Sequence, residues 1–202
     1  MRKMLAAWFL PVYLLFLPLN LFSQTNSLDW QLQFLREKNN VSMEINRTIR
    51  METGESFKLI LKADEACYCY VIVYDSDQEF YIWYNQPLKK DTGTHLFPLH
   101  LVEPSGVETI YVIISNSRQP ELERLINLFG INPSRQNTTN LYSEIIRLQN
   151  SASALGEPAA VIIPSGGSTR GLDSAEEFEG EKGFATKFTG RNLYVRAIGV
   201  RH

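Results

Sequence analysis

The sequence predicts a mainly β (α+β) fold, an antiparallel β-sandwich of about seven to nine strands carrying about two peripheral helices. Three observations predict it. Between Glu55 and Asn116 lie four apolar, tyrosine-rich runs, Phe57 to Ala63, Cys67 to Tyr74, Phe80 to Tyr84 and Thr109 to Ser115, each of strand length and bounded by turn residues. Beyond Arg118 the apolar spacing lengthens to the helical period of about 3.6. The composition, 44% hydrophobic and 21% charged over 202 residues, is that of one globular domain with peripheral segments, able to bury a core. With its strands joined by short turns, the sandwich is read as immunoglobulin-like.

Residues 1–23 are read as a signal peptide. Arg2 and Lys3 make a basic start, Leu5 to Phe22 carries no charge, and Ser23 is a small residue ahead of the polar Gln24-Thr25-Asn26, as a cleavage site requires. The competing reading is an uncleaved membrane anchor. Pro11 and Pro18 interrupt the apolar run and disfavour a straight spanning helix. No Cys stands near Ser23, which excludes a lipoprotein anchor. Loss of Arg2 and Lys3 leaves 18 of the 20 basic residues against 22 acidic ones, a charge near −4. Nothing in that balance attracts nucleic acid or an anionic membrane surface. The expectation is therefore an exported protein of the periplasm or cell envelope, with no integral span after cleavage.

The elements follow in order. Residues 24–40 form an N-terminal segment in which Leu28, Leu32 and Leu35 suit a helical face while Leu28, Trp30, Leu32 and Phe34 alternate; a short helix over Ser27 to Lys38 is expected, capped by Ser27. Val41, Met43 and Ile45 alternate with polar residues, and Thr48 and Ile49 carry that strand on to Met51. Thr53-Gly54 turns it into Phe57 to Ala63 as an antiparallel neighbour. Cys67 to Tyr74 is apolar or aromatic on both faces, the mark of a strand covered on both sides. Asp75 to Gln78 turns the chain into the aromatic strand Phe80 to Tyr84, which Pro87 should stop. Leu96 to Leu99 returns an apolar piece, Glu103 to Gly106 is a turn, and Thr109 to Ser115 is an interior strand. Two amphipathic helices, Arg118 to Phe129 ending at Gly130 and Thr139 to Gln149, flank Asn132-Pro133-Ser134. Residues 151–183 read as a flexible excursion holding one short strand at Ala159 to Ile163. Phe184 to Phe188 and Leu193 to Val200 close the chain as a hairpin. Residues 41–202 thus make one sandwich domain, with a helical insertion over 118–150.

In their order these motifs resemble the DUF4384 family of bacterial domains. The match runs through the Gly54-Glu55 turn, the apolar strand Phe57 to Ala63, the Tyr-x-Tyr-Val of Tyr68-Cys69-Tyr70-Val71 and the acidic turn Asp75-Ser76-Asp77. It continues through Phe80 to Tyr84, Phe97-Pro98, the Pro-x-Gly-x-Glu of Pro104 to Glu108, and Ile110 to Ser115. The resemblance covers about residues 41–118. Two departures stand out: Gln78 occupies the place of the usual Gly, and Leu96 to Pro98 lies further along. The resemblance implies a β-sandwich of exported proteins, or one accompanying kinases or caspase-like peptidases. It implies no fixed activity and supplies no catalytic residues.

Residues with chemical potential are few. Asp75, Asp77 and Glu79 alternate like calcium ligands, but Phe80 and Gln86 stand where an EF-type loop needs Gly and Glu, so an ordinary acidic turn is expected. His95 and His100 bracket Phe97-Pro98 without acids or thiols at ligand spacing. Pro164 to Thr169 lacks the Gly-Lys-Ser/Thr ending of a phosphate loop. Sequons at Asn40, Asn46 and Asn137 carry no meaning in a bacterial chain. Cys67 and Cys69 share one strand face and are read as two small buried hydrophobes, the alternative being a strained redox pair. No metal or cofactor is expected. Tyr68, Tyr70, Tyr74, Tyr81 and Tyr84 remain as candidate binding residues, because aromatic rings offer large contact area at small entropic cost; sheet packing is the competing reading. The expected function is a non-catalytic envelope module that binds a protein or another envelope component. The alternatives are a hydrolase using His95 and His100 with nearby acids, and a self-assembling structural subunit.

Overall fold

The computed structural model describes residues 27–38, 41–43, 45, 48–90, 93–95, 99–156, 159–165 and 183–202. The expected signal peptide, the Leu96 to Pro98 piece and residues 157–158 and 166–182 of the expected excursion lie outside them. In chain order the elements are β1 (Leu28–Arg36), β2 (Val41–Met43), β3 (Ile49–Arg50), β4 (Ser56–Ala63), β5 (Cys67–Tyr74), β6 (Phe80–Leu88), β7 (Gly93–His95), β8 (Leu99–His100), β9 (Val107–Ser115), α1 (Pro120–Ile131), α2 (Arg135–Ala154), β10 (Ala159–Ser165), β11 (Gly183–Arg191) and β12 (Leu193–Arg201).

The strands form two sheets. One runs β10-β11-β1-β4-β7, with β2 also on β1 and β8 also on β4; the other runs β3-β12-β9-β5-β6. All described pairings are antiparallel except β3 on β12. Two apolar layers result. Between the sheets pack Trp30, Leu32 and Phe34 of β1, Phe57, Leu59 and Leu61 of β4, Cys67, Cys69 and Val71 of β5, and Ile110, Val112 and Ile114 of β9. On the outer face of the second sheet, Tyr70, Ile72, Tyr111 and Ile113 meet Leu122, Leu125 and Ile126 of α1 and Leu141, Ile145 and Leu148 of α2. Period-two alternation in β5 and β9 supplies both layers from the same strands. The molecule is a sandwich with two helices laid on one sheet, as the composition and periodicity predict.

The helices begin where local chemistry places them. Pro120 stands in the first turn of α1 with Glu121 and Glu123 beside it, favourable to the positive helix end. Ser134 caps α2, its hydroxyl accepting from the Asn137 N–H at 3.3 Å. Both helices outrun expectation. Gly130 stays inside α1, which ends against Asn132, and α2 runs on to Ala154.

Five expectations are overturned. The helix over Ser27 to Lys38 is β1, an interior strand lying between β4 and β11. Its alternation outweighs its helical spacing because Leu28, Trp30, Leu32 and Phe34 all find the inter-sheet core. The single strand expected over Val41 to Met51 divides: β2 pairs with β1 and β3 with β12, so the chain crosses between the sheets there. β1, not this segment, is the neighbour of β4, although Gly54 does take the positive φ, 87°, that the turn needs. The closing pair is no hairpin, since β11 joins the first sheet and β12 the second, with the chain turning a corner at Asn192. Finally, Pro87 lies within β6 rather than beyond it; β6 is a sheet edge, so no ladder hydrogen bond is lost on its outer side. The strand expected at Ala159 to Ile163 is present as β10. At the acidic turn, Gln78 adopts φ 66°, the left-handed conformation that the usual Gly would take at less cost.

Candidate ligand recess

The structure divides the five tyrosines between two faces. Tyr70 is 1% exposed and lies under α1, its hydroxyl donating to Glu123 Oε1 at 2.8 Å and accepting from the Gln119 N–H at 3.1 Å. Arg118 pairs with the same Glu123. Burial pushes the Tyr70 phenol well above its ordinary pKa. Tyr68 and Tyr74 border the same helix-covered layer, Tyr74 lying 4.7 Å from Phe80 and 5.6 Å from Tyr142 of α2, ring centre to ring centre. Tyr81 and Tyr84 oppose Val73 and Val71, so they point to the inter-sheet side of β6. Tyr81 is 54% exposed and Tyr84 packs partly on the inter-sheet core. The five rings do not form one continuous platform.

The remaining candidates also separate. His100 Nδ1 sits 2.6 Å from Ser56 Oγ. The backbones of His95 and His100 pair with Ile60 and Ser56 of β4, about 13 Å apart along the strand. Asp75 serves its own turn, Oδ1 accepting from the Glu79 N–H at 2.8 Å. Among the described residues no group of three or more His, Cys, Asp or Glu is placed to hold a metal ion. Cys67 and Cys69 are both free thiols pointing into the inter-sheet core. Burial pushes Cys67 up to about 11, and burial with the adjacent Cys67 sulfur pushes Cys69 well above its ordinary value. An aromatic disulfide reagent at pH 8 should therefore titrate neither thiol in the native protein and two after unfolding. A count below two in the unfolded, unreduced chain would show that the pair is oxidised.

Sequence reading did not single out a recess beside β12. A cavity of about 210 Å³ opens where the last turn of α2 meets β12 and the β11–β12 corner. Its walls include three aromatic rings in mutual contact. Trp30 lies on Phe188, ring centres 4.5 Å apart at 18°, and Tyr194 meets Trp30 edge-on at 5.5 Å. Tyr194 is held by its hydroxyl, which donates to the Leu28 carbonyl at 3.1 Å. Trp30 is 1% exposed, and its indole N–H has no hydrogen-bond partner among the described residues. Leaving such a donor unpaired costs about 1–3 kcal/mol.

Around these rings stand Gln149, Ser153, Arg191 and Arg196, with Ala152, Val195 and Ala197 between them. The Arg191 guanidinium reaches the Ala152 carbonyl at 3.5 Å, and Arg196 reaches the Ile45 carbonyl at 3.3 Å. Gly156, at φ 84°, turns the chain away from α2; a Cβ there would come within 3.3 Å of the Arg191 Nη2. The positive φ of the turn is what calls for Gly there. Among the described residues, β3 covers only Val200 and Arg201 of the outer edge of β12, which leaves Leu193 to Ala197 to line the recess. No carboxylate, imidazole or thiol is among its described wall residues.

The wall joins Trp30 of β1 to residues of α2, β11 and β12 that follow it by more than a hundred positions. No local motif announces it. Comparison with protein-family models, with curated proteins and with solved structures finds no match to this chain.

Proposed function

We propose that the protein is an exported, non-catalytic binding module of the bacterial cell envelope, with the recess as its ligand site. The basic start and uncharged run of residues 1–23 support export, and the resemblance to DUF4384 domains supports the envelope setting. No helix among the described residues is long and apolar enough to cross a membrane. One observation carries the binding reading: the recess gathers hydrogen-bond donors and aromatic rings without a carboxylate, imidazole or thiol among its described walls. Such a set is suited to orienting a ligand.

Export is tested by producing the full chain in a bacterial host and weighing the periplasmic form. Loss of residues 1–23 is the expected result, and retention of the whole chain in the inner membrane opposes it. Binding is tested by capture from envelope extract beside an Arg191→Gln/Arg196→Gln variant of unchanged circular dichroism. The same component, protein or not, should be held by the native chain and lost by the variant; equal capture by both removes the recess from the proposal.

The hydrolase reading draws on the Ser56–His100 contact, which lies beside an open groove of Thr53, Glu55 and Ser56. A fluorophosphonate probe decides between the two. The binding module leaves Ser56 unlabelled, whereas a hydroxyl activated by His100 is labelled and the label is lost in His100→Ala.

A further inference from the structure

We propose that β10 is the contact edge of a homodimer, in which β10 of a second copy pairs antiparallel with it and joins the two sheets into one. β10 ends its sheet, and among the described residues no strand lies on its outer side. Its seven residues keep an unbroken register with β11, from Ala159 on Thr189 to Ser165 on Gly183. The other edges are poorer templates. β2, β3, β7 and β8 are two or three residues long, and a bulge opposite Val71 and Ile72 interrupts β6.

The backbone fixes which groups β10 presents. Phe184 of β11 donates its N–H to Ser42 Oγ at 3.1 Å, on the side away from β10. Its pair with Pro164 is therefore not hydrogen-bonded, and Pro164 faces outward. Alternation along the strand turns the N–H and C=O of Ala160 and Ile162 outward as well. Pro164 thus costs no bond to β11, and its carbonyl is an outward acceptor. With Ile162 opposite its own copy, the two residues exchange both their hydrogen bonds, and each Ala160 N–H meets a Pro164 carbonyl.

Charge favours a second copy as the occupant. A symmetric antiparallel pair sets like beside like, so any charge on the strand would meet itself. β10 carries none. Lys187, opposite Val161 on β11, is already held by Asp64 at 2.9 Å and Asp29 at 3.6 Å. Val161 and Ile162, on opposite faces, are 58% and 54% exposed, and the pairing covers both. One short strand buries less than the about 1,200 Å² of a standard interface, so the dimer is weak and forms with rising concentration.

Sedimentation of the periplasmic form between about 1 and 500 µM should show monomer giving way to dimer, the range of a small interface. Ile162→Lys, folded by circular dichroism, should weaken association about tenfold or more, because it sets like charges opposite each other. Tyr81→Lys, on the edge strand β6, should leave association unchanged. Amide exchange of the native protein needs no variant. The Ala160 and Ile162 N–H groups should exchange freely in dilute protein and slowly in concentrated protein, while those of Val161 and Ile163, bonded to β11, stay slow in both. Four results overturn the proposal: a monomer at every concentration, unchanged association in Ile162→Lys, loss of association in Tyr81→Lys, or Ala160 and Ile162 amides already protected in the monomer.

Discussion

Phe34→Ala should lower the unfolding free energy by about 3–5 kcal/mol, the cost of truncating a fully buried aromatic ring. Phe34 is 0% exposed and lies on Phe57, ring centres 4.2 Å apart at 23°. Phe57 in turn meets Trp83 of the opposite sheet edge-on at 6.1 Å. The ring therefore belongs to the contact that joins the sheets, and its removal leaves a hole between two hydrogen-bonded layers that cannot easily close. Against a total stability of about 5–15 kcal/mol this is a large fraction, equivalent to roughly 6–20 °C in Tm for a chain of this size. Urea unfolding followed by far-ultraviolet circular dichroism measures it, with Gln31→Ala as the control. Gln31 is on the same strand but only half-buried, so its truncation should stay within about 0.5 kcal/mol. If Phe34→Ala also costs less than about 1 kcal/mol, the segment is peripheral and β1 is not an interior strand.

That test addresses the place where sequence and structure part most widely. Segment 28–36 carries both periods at once, because Leu28 and Leu32 satisfy a helix as well as a strand. Local pattern cannot arbitrate; the partners do, and they come from β4 and from β11, more than a hundred residues further on. The same physics explains the misread closing pair. The break between Phe188 and Leu193 shows that the chain bends, but a hairpin and a corner between two sheets begin alike. Where an element is buried on both faces, pattern sufficed. Cys67 to Tyr74 and Thr109 to Ser115 admit no exposed face, and both became interior strands clad by two apolar layers. The helices were equally legible, since Leu122, Leu125 and Ile126, and then Leu141, Ile145 and Leu148, form single stripes that match the outer face of one sheet.

The candidate site was much less legible. Its arginines stand singly in the sequence, five residues apart on either side of a corner that reverses nothing and begins a new sheet. Its aromatic floor joins Trp30, read as helical, to Phe188 and Tyr194, read as one hairpin. Only once β1, β11 and β12 are in place do the three rings meet. The tyrosines show the converse. Their clustering was visible, but whether a clustered aromatic face meets solvent or a helix depends on where α1 and α2 come to rest.

Tyr70→Ala decides that question for the most buried of them, and the expected loss is about 3–5 kcal/mol. The ring fills the layer between β5 and α1, while its hydroxyl satisfies both the Glu123 carboxylate and the Gln119 N–H at the start of the helix. Tyr70→Phe keeps the ring and removes the hydroxyl alone, for about 1.5–3 kcal/mol, as befits a hydrogen bond to a charged group. Tyr81→Ala, at a half-exposed ring on the edge strand, should change stability by no more than about 0.5 kcal/mol. Acid separates the hydroxyl's electrostatic part from its packing. Arg118 first, and then the Tyr70 hydroxyl, hold the Glu123 carboxyl below its ordinary value of 4.5. A carboxyl whose folded pKa is depressed stabilises fully above its unfolded value, and that contribution is lost as pH falls through the folded one. The gap between native protein and Tyr70→Phe should then be complete at pH 7 and narrow below about 4.5, whereas the further gap to Tyr70→Ala, which is lost packing, should remain. If Tyr70→Ala proves as mild as Tyr81→Ala, α1 does not cover the tyrosine face, and that face returns as a candidate surface for a partner.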